Sequence, residues 1–129
     1  MTRRALVAAV VLAVALVAGA ATSSPAATTR PAAPLFVDAR EWSLSLSRAT
    51  VPAGRVALQL HNAGEDDHDV WFRRLDRRGR PTGPTRKVAV TTPGAMTEQT
   101  LYLRQGRWRV WCSLDGHARA GMRATLRAR

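Results

Sequence analysis

The chain has 129 residues, room for one domain with a modest core and not for a second. Its net charge of +11 comes almost wholly from arginine, and its one cysteine rules out an internal disulfide. A basic chain suits an acidic protein or an anionic membrane surface, whereas nucleic acid is set aside because no aromatic residues interleave with the basic residues from Arg73 to Lys87 to stack bases.

Arg3 and Arg4 precede an apolar or small run from Ala5 to Ala21, and Ala18-Gly19-Ala20 supplies the small-residue pattern cut by signal peptidase. Residues 1–20 are therefore expected to form an export signal, giving a periplasmic, extracellular or cell-surface protein. The rival reading is a retained anchor, for which the run is just short of roughly 18 apolar residues. Residues 21–34, rich in Ala, Thr, Ser and Pro, are expected to be a flexible tether, and residues 35–129 the folded domain.

Leu35-Phe36-Val37 opens the first expected strand. Trp42, Leu44 and Leu46 then alternate with Glu41, Ser43, Ser45 and Ser47 as a half-buried strand, and Pro52-Ala53-Gly54 turns the chain. Val56, Leu58 and Leu60 form an inward row, which puts Arg55, Ala57, Gln59 and His61 on the outer face. His68 follows a Gly64-Glu65-Asp66-Asp67 loop and leads into Asp69-Val70-Trp71-Phe72, where it is free to point at a neighbouring strand. The acids around it lack the glycine and distal glutamate of an EF-hand calcium loop.

The basic residues from Arg73 to Lys87 are broken up by Gly79, Pro81, Gly83 and Pro84, which predicts a solvated loop. Little regular structure is expected from Gly79 to Met96 beyond a short strand at Lys87 to Val90. Leu101 and Leu103 alternate with Tyr102 and Arg104, and Gln105-Gly106 is expected to turn as a hairpin into the strand that carries Cys112. No helical period is sustained anywhere. Six to eight short strands predict an all-β, antiparallel β-sandwich.

The most informative stretch is Trp108 to Leu126, where Cys112, His117 and Met122 stand in the order Cys-x4-His-x4-Met. Two alternating segments flank a loop of small residues punctuated by Gly116 and Gly121, so the chain can curl around an ion. Thiolate, imidazole and thioether together form a soft donor set that favours copper over harder cations. A lone thiol in an exported protein is also exposed to oxidation unless something occupies it. The alternative is an ordinary hairpin with Cys112 and Met122 in the core and His117 in solvent.

Cys-Ser-Leu-Asp-Gly-His-Ala-Arg-Ala-Gly-Met, residues 112–122, resembles the ligand loop of the cupredoxins, the small type 1 blue copper proteins that include plastocyanin and azurin. That family takes a further histidine from upstream, after a strand ending in an Asn-x-Gly-like turn, and Leu58 to Val70 matches that pattern. The resemblance spans roughly Leu35 to Arg129. The family often has a proline between Cys and His and an asparagine after the upstream His, where this chain has Leu114-Asp115 and Asp69.

By strand parity His68, not the outward His61, is expected to be the upstream ligand. The resemblance then implies a Greek-key arrangement, one type 1 copper held by His68, Cys112 and His117 with Met122 axial, and His117 as the electron gateway. It implies a monomeric electron shuttle, not an enzyme, docking through Leu114, Ala118, Ala120 and Gly121 with Arg119 and Arg123 favouring an acidic redox partner. An exported copper carrier or buffer, and a metal-free adhesion module, are the readings from other classes.

Overall fold

In a computed structural model, residues 29–129 are described, so the expected signal and residues 21–28 of the tether lie outside the described residues. In chain order the strands are β1 (Ala33–Arg40), β2 (Ser43–Leu46), β3 (Thr50–Val51), β4 (Gly54–Asn62), β5 (His68–Leu75), β6 (Pro81–Thr91), β7 (Met96–Leu103), β8 (Gly106–Trp111) and β9 (Arg123–Ala128). One helical turn, α1 (His117–Ala120), lies between β8 and β9. No helix among the described residues is long and apolar enough to cross a membrane.

The strands form two facing sheets, ordered β2-β1-β4-β7 and β3-β9-β8-β5-β6. The chain passes repeatedly from one to the other, as in a Greek-key sandwich. Pairing is antiparallel except that β1 runs parallel to β4 and β3 parallel to β9. The core follows period-two parity: Leu35 and Val37, Val56, Leu58 and Leu60, Val70 and Phe72, Val110 and Leu126 are all buried. Each such side chain contributes roughly 1.5–3 kcal/mol by leaving water. Trp108 joins them because its indole N–H donates to the Arg104 carbonyl at 2.9 Å.

Four expectations are corrected. The expected loop from Arg73 to Lys87 is most of the β5–β6 hairpin, and β6 is the longest strand. It sits at a sheet edge, pairs only with β5 through irregular register, and buries only Val88 and Thr91, so it carries no alternation to read. Pro81 and Pro84 are tolerated at such an edge, where no second neighbour needs their missing N–H.

Second, Gln105-Gly106 does not close a hairpin. β7 pairs with β4 while β8 lies between β9 and β5, so this corner carries the chain between sheets. Both flanking strands bury apolar rows, and each needs a different sheet to hide them against. Third, Trp42 is not in the inward row but 47% exposed, in the link between β1 and β2. Fourth, the tether ends earlier than residue 34, because Ala33 and Pro34 already pair with Val56 and Ala57.

Candidate metal centre

The site lies at the end of the sandwich where β5 begins and β8 and β9 meet. Cys112 immediately follows β8, and the loop after it closes on itself through backbone bonds. The Cys112 N–H donates to the Met122 carbonyl at 3.1 Å, and the Met122 N–H donates to the His117 carbonyl at 3.0 Å. Between them α1 winds one turn, with Ala120 N–H donating to Gly116 O at 2.9 Å, where the sequence suggested an irregular loop. Gly121 ends that turn at φ +141°, and a Cβ there would stand 2.5 Å from the Trp42 carbonyl oxygen. Only glycine fits both demands.

The upstream histidine is set by an inward asparagine. Asn62 ends β4 on its buried face and makes three side-chain bonds: its amide N–H2 donates to Thr91 O at 2.8 Å and Asp66 O at 2.7 Å, and its Oδ1 accepts from Gly64 N–H at 2.9 Å. Those bonds fix the loop that delivers His68 into the core, fully buried. His61 points outward instead, with its Nδ1 2.8 Å from Asp38 Oδ1. Strand parity therefore separates the two histidines as the sequence predicts.

His68 Nδ1 lies 3.3 Å from His117 Nδ1, and His117 Nδ1 lies 3.5 Å from Cys112 Sγ. One donor atom from each of the three residues falls within 4.8 Å of the others, close enough to share an ion. His68 and Cys112 are buried while His117 keeps an accessible edge. Met122 is fully buried beside them, tied through its backbone to both Cys112 and His117. Burial pushes the Cys112 thiol up from its ordinary range.

Sequence reasoning missed the residues that hold the candidate ligands. Glu41 Oε1 lies 2.8 Å from His68 Nε2, so that nitrogen is the donor and Nδ1 presents its lone pair to the cluster. The same carboxylate accepts from the N–H groups of Asp66 at 2.9 Å and Glu65 at 3.1 Å. The Asp66 N–H above all, then its own and that of Glu65, keep the Glu41 carboxyl down at about 2. Gly64 has no side chain because a Cβ would collide with that carboxylate. Beside Glu41, Trp42 packs edge-on against His117 with ring centroids 5.0 Å apart. Asp69, standing where the resembling family often has asparagine, accepts from Ser113 N–H at 2.6 Å and from its hydroxyl, joining β5 to the Cys112 loop.

Parity exposes Asn62 as a polar residue in an inward row. No local pattern marks Glu41 or Trp42, which reach the site only through tertiary packing.

No protein-family model matches the chain, and no curated protein sequence matches it. Among solved structures, auracyanin B is similar at 19% identity over 80% of this chain and 93% of its own, with a TM-score of 0.61. Auracyanin A, described as a "blue" copper protein from the green thermophilic photosynthetic bacterium Chloroflexus aurantiacus, matches at 10% identity over 74% of this chain and 99% of its own, TM-score 0.53. A multi-copper oxidase from Pseudomonas thermotolerans matches at 17% identity over 76% of this chain but only 30% of the oxidase, TM-score 0.54. At such identities the likeness shows the fold, and that fold is the one shared by auracyanins and other cupredoxins.

Proposed function

We propose that this chain, built on the cupredoxin fold, holds a single type 1 copper ion through His68, Cys112, His117 and Met122 and serves as an exported one-electron shuttle. The observation that carries the reading is the convergence of two imidazole Nδ1 atoms and one thiol within 4.8 Å, with the rear of one imidazole already held by a carboxylate. Copper bound there supplies a one-electron couple. The chain's residues do the rest: Cys112 gives the soft thiolate, Glu41 and Trp42 hold the two imidazoles, and the core buries Met122 so that the donors move little between oxidation states.

With four donors engaged, no position is left for a substrate, which favours a carrier over an enzyme. All four come from one chain, so a monomer suffices. His117, whose edge is accessible beside Ala118 and Ala120, is the exit for the electron. Arg119 and Arg123, both exposed near it, favour an acidic redox partner. Periplasmic, extracellular or cell-surface placement rests on the apolar run from Ala5 to Ala21.

Copper delivery is the competing reading, and it requires donors that can be released one at a time. Here His68 is buried and bonded, and the Cys112 to Met122 loop is closed by its own backbone. The loaded protein should therefore keep its copper against a modest excess of chelator. It should be reduced quickly by a reduced cytochrome, at a rate that falls as salt is raised. Fast loss to the chelator with sluggish reduction would establish the carrier instead.

Met122→Leu should retain copper and raise the reduction potential, because removing an axial donor disfavours the more highly charged Cu(II). A titration against redox mediators reads the shift. Loss of copper in that variant would make Met122 a principal ligand.

A further inference from the structure

We propose that the outer face of the sheet β3-β9-β8-β5-β6 is a docking surface for an anionic phospholipid bilayer. The register assembles this face from residues far apart in sequence. Lys87, Trp71, Trp111 and Arg123 stand side by side across β6, β5, β8 and β9. The next outward row is Arg73, Arg109 and Thr125, and the one after it Leu75, Arg107 and Arg127. Six cations thus share one sheet face, and among the described residues none of them is in an ion pair.

Two acids on β5 and at its end are already occupied. Asp69 is buried and bonded to Ser113, and Asp76, in the β5–β6 turn, is held by Arg80 at 3.0 Å. A single-sign field spread over four strands has no mixture of charges to fix the register of one protein partner. It suits anions that can rearrange laterally beneath it, as lipid headgroups do.

The two indoles favour the same ligand. The Lys87 ammonium lies 4.3 Å from the Trp71 ring centroid and the Arg109 guanidinium 4.9 Å from that of Trp111, and the two rings meet edge to face at 6.0 Å. Cations therefore cap the ring faces that a nucleic acid base would need for stacking. Half-buried tryptophans ringed by cations instead match the composition of a membrane–water interface. Next to them a depression of about 560 Å³ is lined by Leu75, Arg109, Trp111, Arg119, Arg123 and Thr125, with three guanidinium groups available to a phosphate. The apolar run Ala5 to Ala21, read as an export signal, gives the chain an encounter with such a bilayer.

The inference does not depend on the metal. Arg119 and Arg123 line this face and also stand near His117, so a bound bilayer and a redox partner would compete for them.

The test is co-sedimentation of the full-length protein with vesicles of mixed phosphatidylglycerol and phosphatidylcholine, against vesicles of phosphatidylcholine alone, at rising salt. Each basic residue near an anionic surface is worth about a fivefold change in partitioning. The triple variant Arg107→Gln, Arg109→Gln, Arg127→Gln should lose about a hundredfold in binding to the anionic vesicles. A triple variant of equal charge, Arg48→Gln, Arg55→Gln, Arg104→Gln, with all three residues exposed elsewhere, should lose far less. Equal losses in the two triples would overturn the assignment by showing that only net charge matters. So would equal binding to pure phosphatidylcholine, or tight binding to a single-stranded oligonucleotide with none to anionic vesicles.

Discussion

Cys112→Ser should fold and yet show no intense blue colour with Cu(II). The colour of a type 1 site is charge transfer from thiolate to Cu(II), and Cys112 is the sole sulfur in the chain able to become a thiolate. Serine offers a harder oxygen that stays protonated, so the loss should be complete, with copper affinity falling along with it. The protein itself should survive. Cys112 is fully buried within the core cluster, and a hydroxyl there costs roughly 1–3 kcal/mol unless it finds an acceptor. The visible spectrum of the copper-loaded variant, with circular dichroism to confirm the fold, decides it. A wild-type protein that folds, binds Cu(II) and stays colourless would remove the type 1 assignment altogether.

The second large effect separates the two upstream histidines. His68→Ala should lose copper affinity by more than the roughly 10–100-fold typical of losing a residue that merely orients a ligand, because here the donor itself is gone. It also leaves Glu41 without its imidazole partner and opens a void in a fully buried position. His61→Ala should change copper affinity little and cost about 1 kcal/mol, since it breaks the Asp38 contact and the stacking on Phe36 of a side chain 34% exposed. Titrating both variants with Cu(II), and adding imidazole to the His68→Ala protein to fill the vacated position, makes the comparison clean. If His61→Ala lost the metal and His68→Ala kept it, strand parity would have been misread by one residue.

That parity was legible because β4 is a central strand with one face in the core, so Val56, Leu58 and Leu60 write the register into the sequence. The order Cys112, His117, Met122 was legible for a different reason: the three stand on one short connection, and local spacing nearly determines their proximity. β6 was not legible, since an edge strand with a single neighbour buries too little to leave a pattern. The crossing at Gln105-Gly106 was misread because a hairpin and a change of sheet need the same two alternating segments. The difference lies in which neighbours bury them, and here those are β4 on one side and β5 and β9 on the other. The cationic face was invisible for the same reason. Arg107, Arg109 and Trp111 share the outward side of β8, but Lys87, Arg123 and Arg127 join them only through pairing with other strands.

The Glu41–Trp42 link has a consequence for protein engineering. These two adjacent residues, neither of them a candidate ligand, touch both imidazoles: one through a hydrogen bond to His68, the other edge-on against His117. The link belongs to a local antiparallel pair, β1 with β2, whose register runs from Val37 opposite Leu46 to Arg40 opposite Ser43. Part of what would shape a metal site therefore sits on a hairpin remote in sequence from the loop carrying three of the four candidate donors. Transplanting residues 112–122 into another sandwich would carry three of the four candidate donors across but leave His68 and that hairpin behind. A working graft needs three segments together, the β1–β2 link, the β4–β5 loop that delivers His68 and residues 112–122, with Gly64 and Gly121 kept where a Cβ would meet the Glu41 carboxylate and the Trp42 carbonyl.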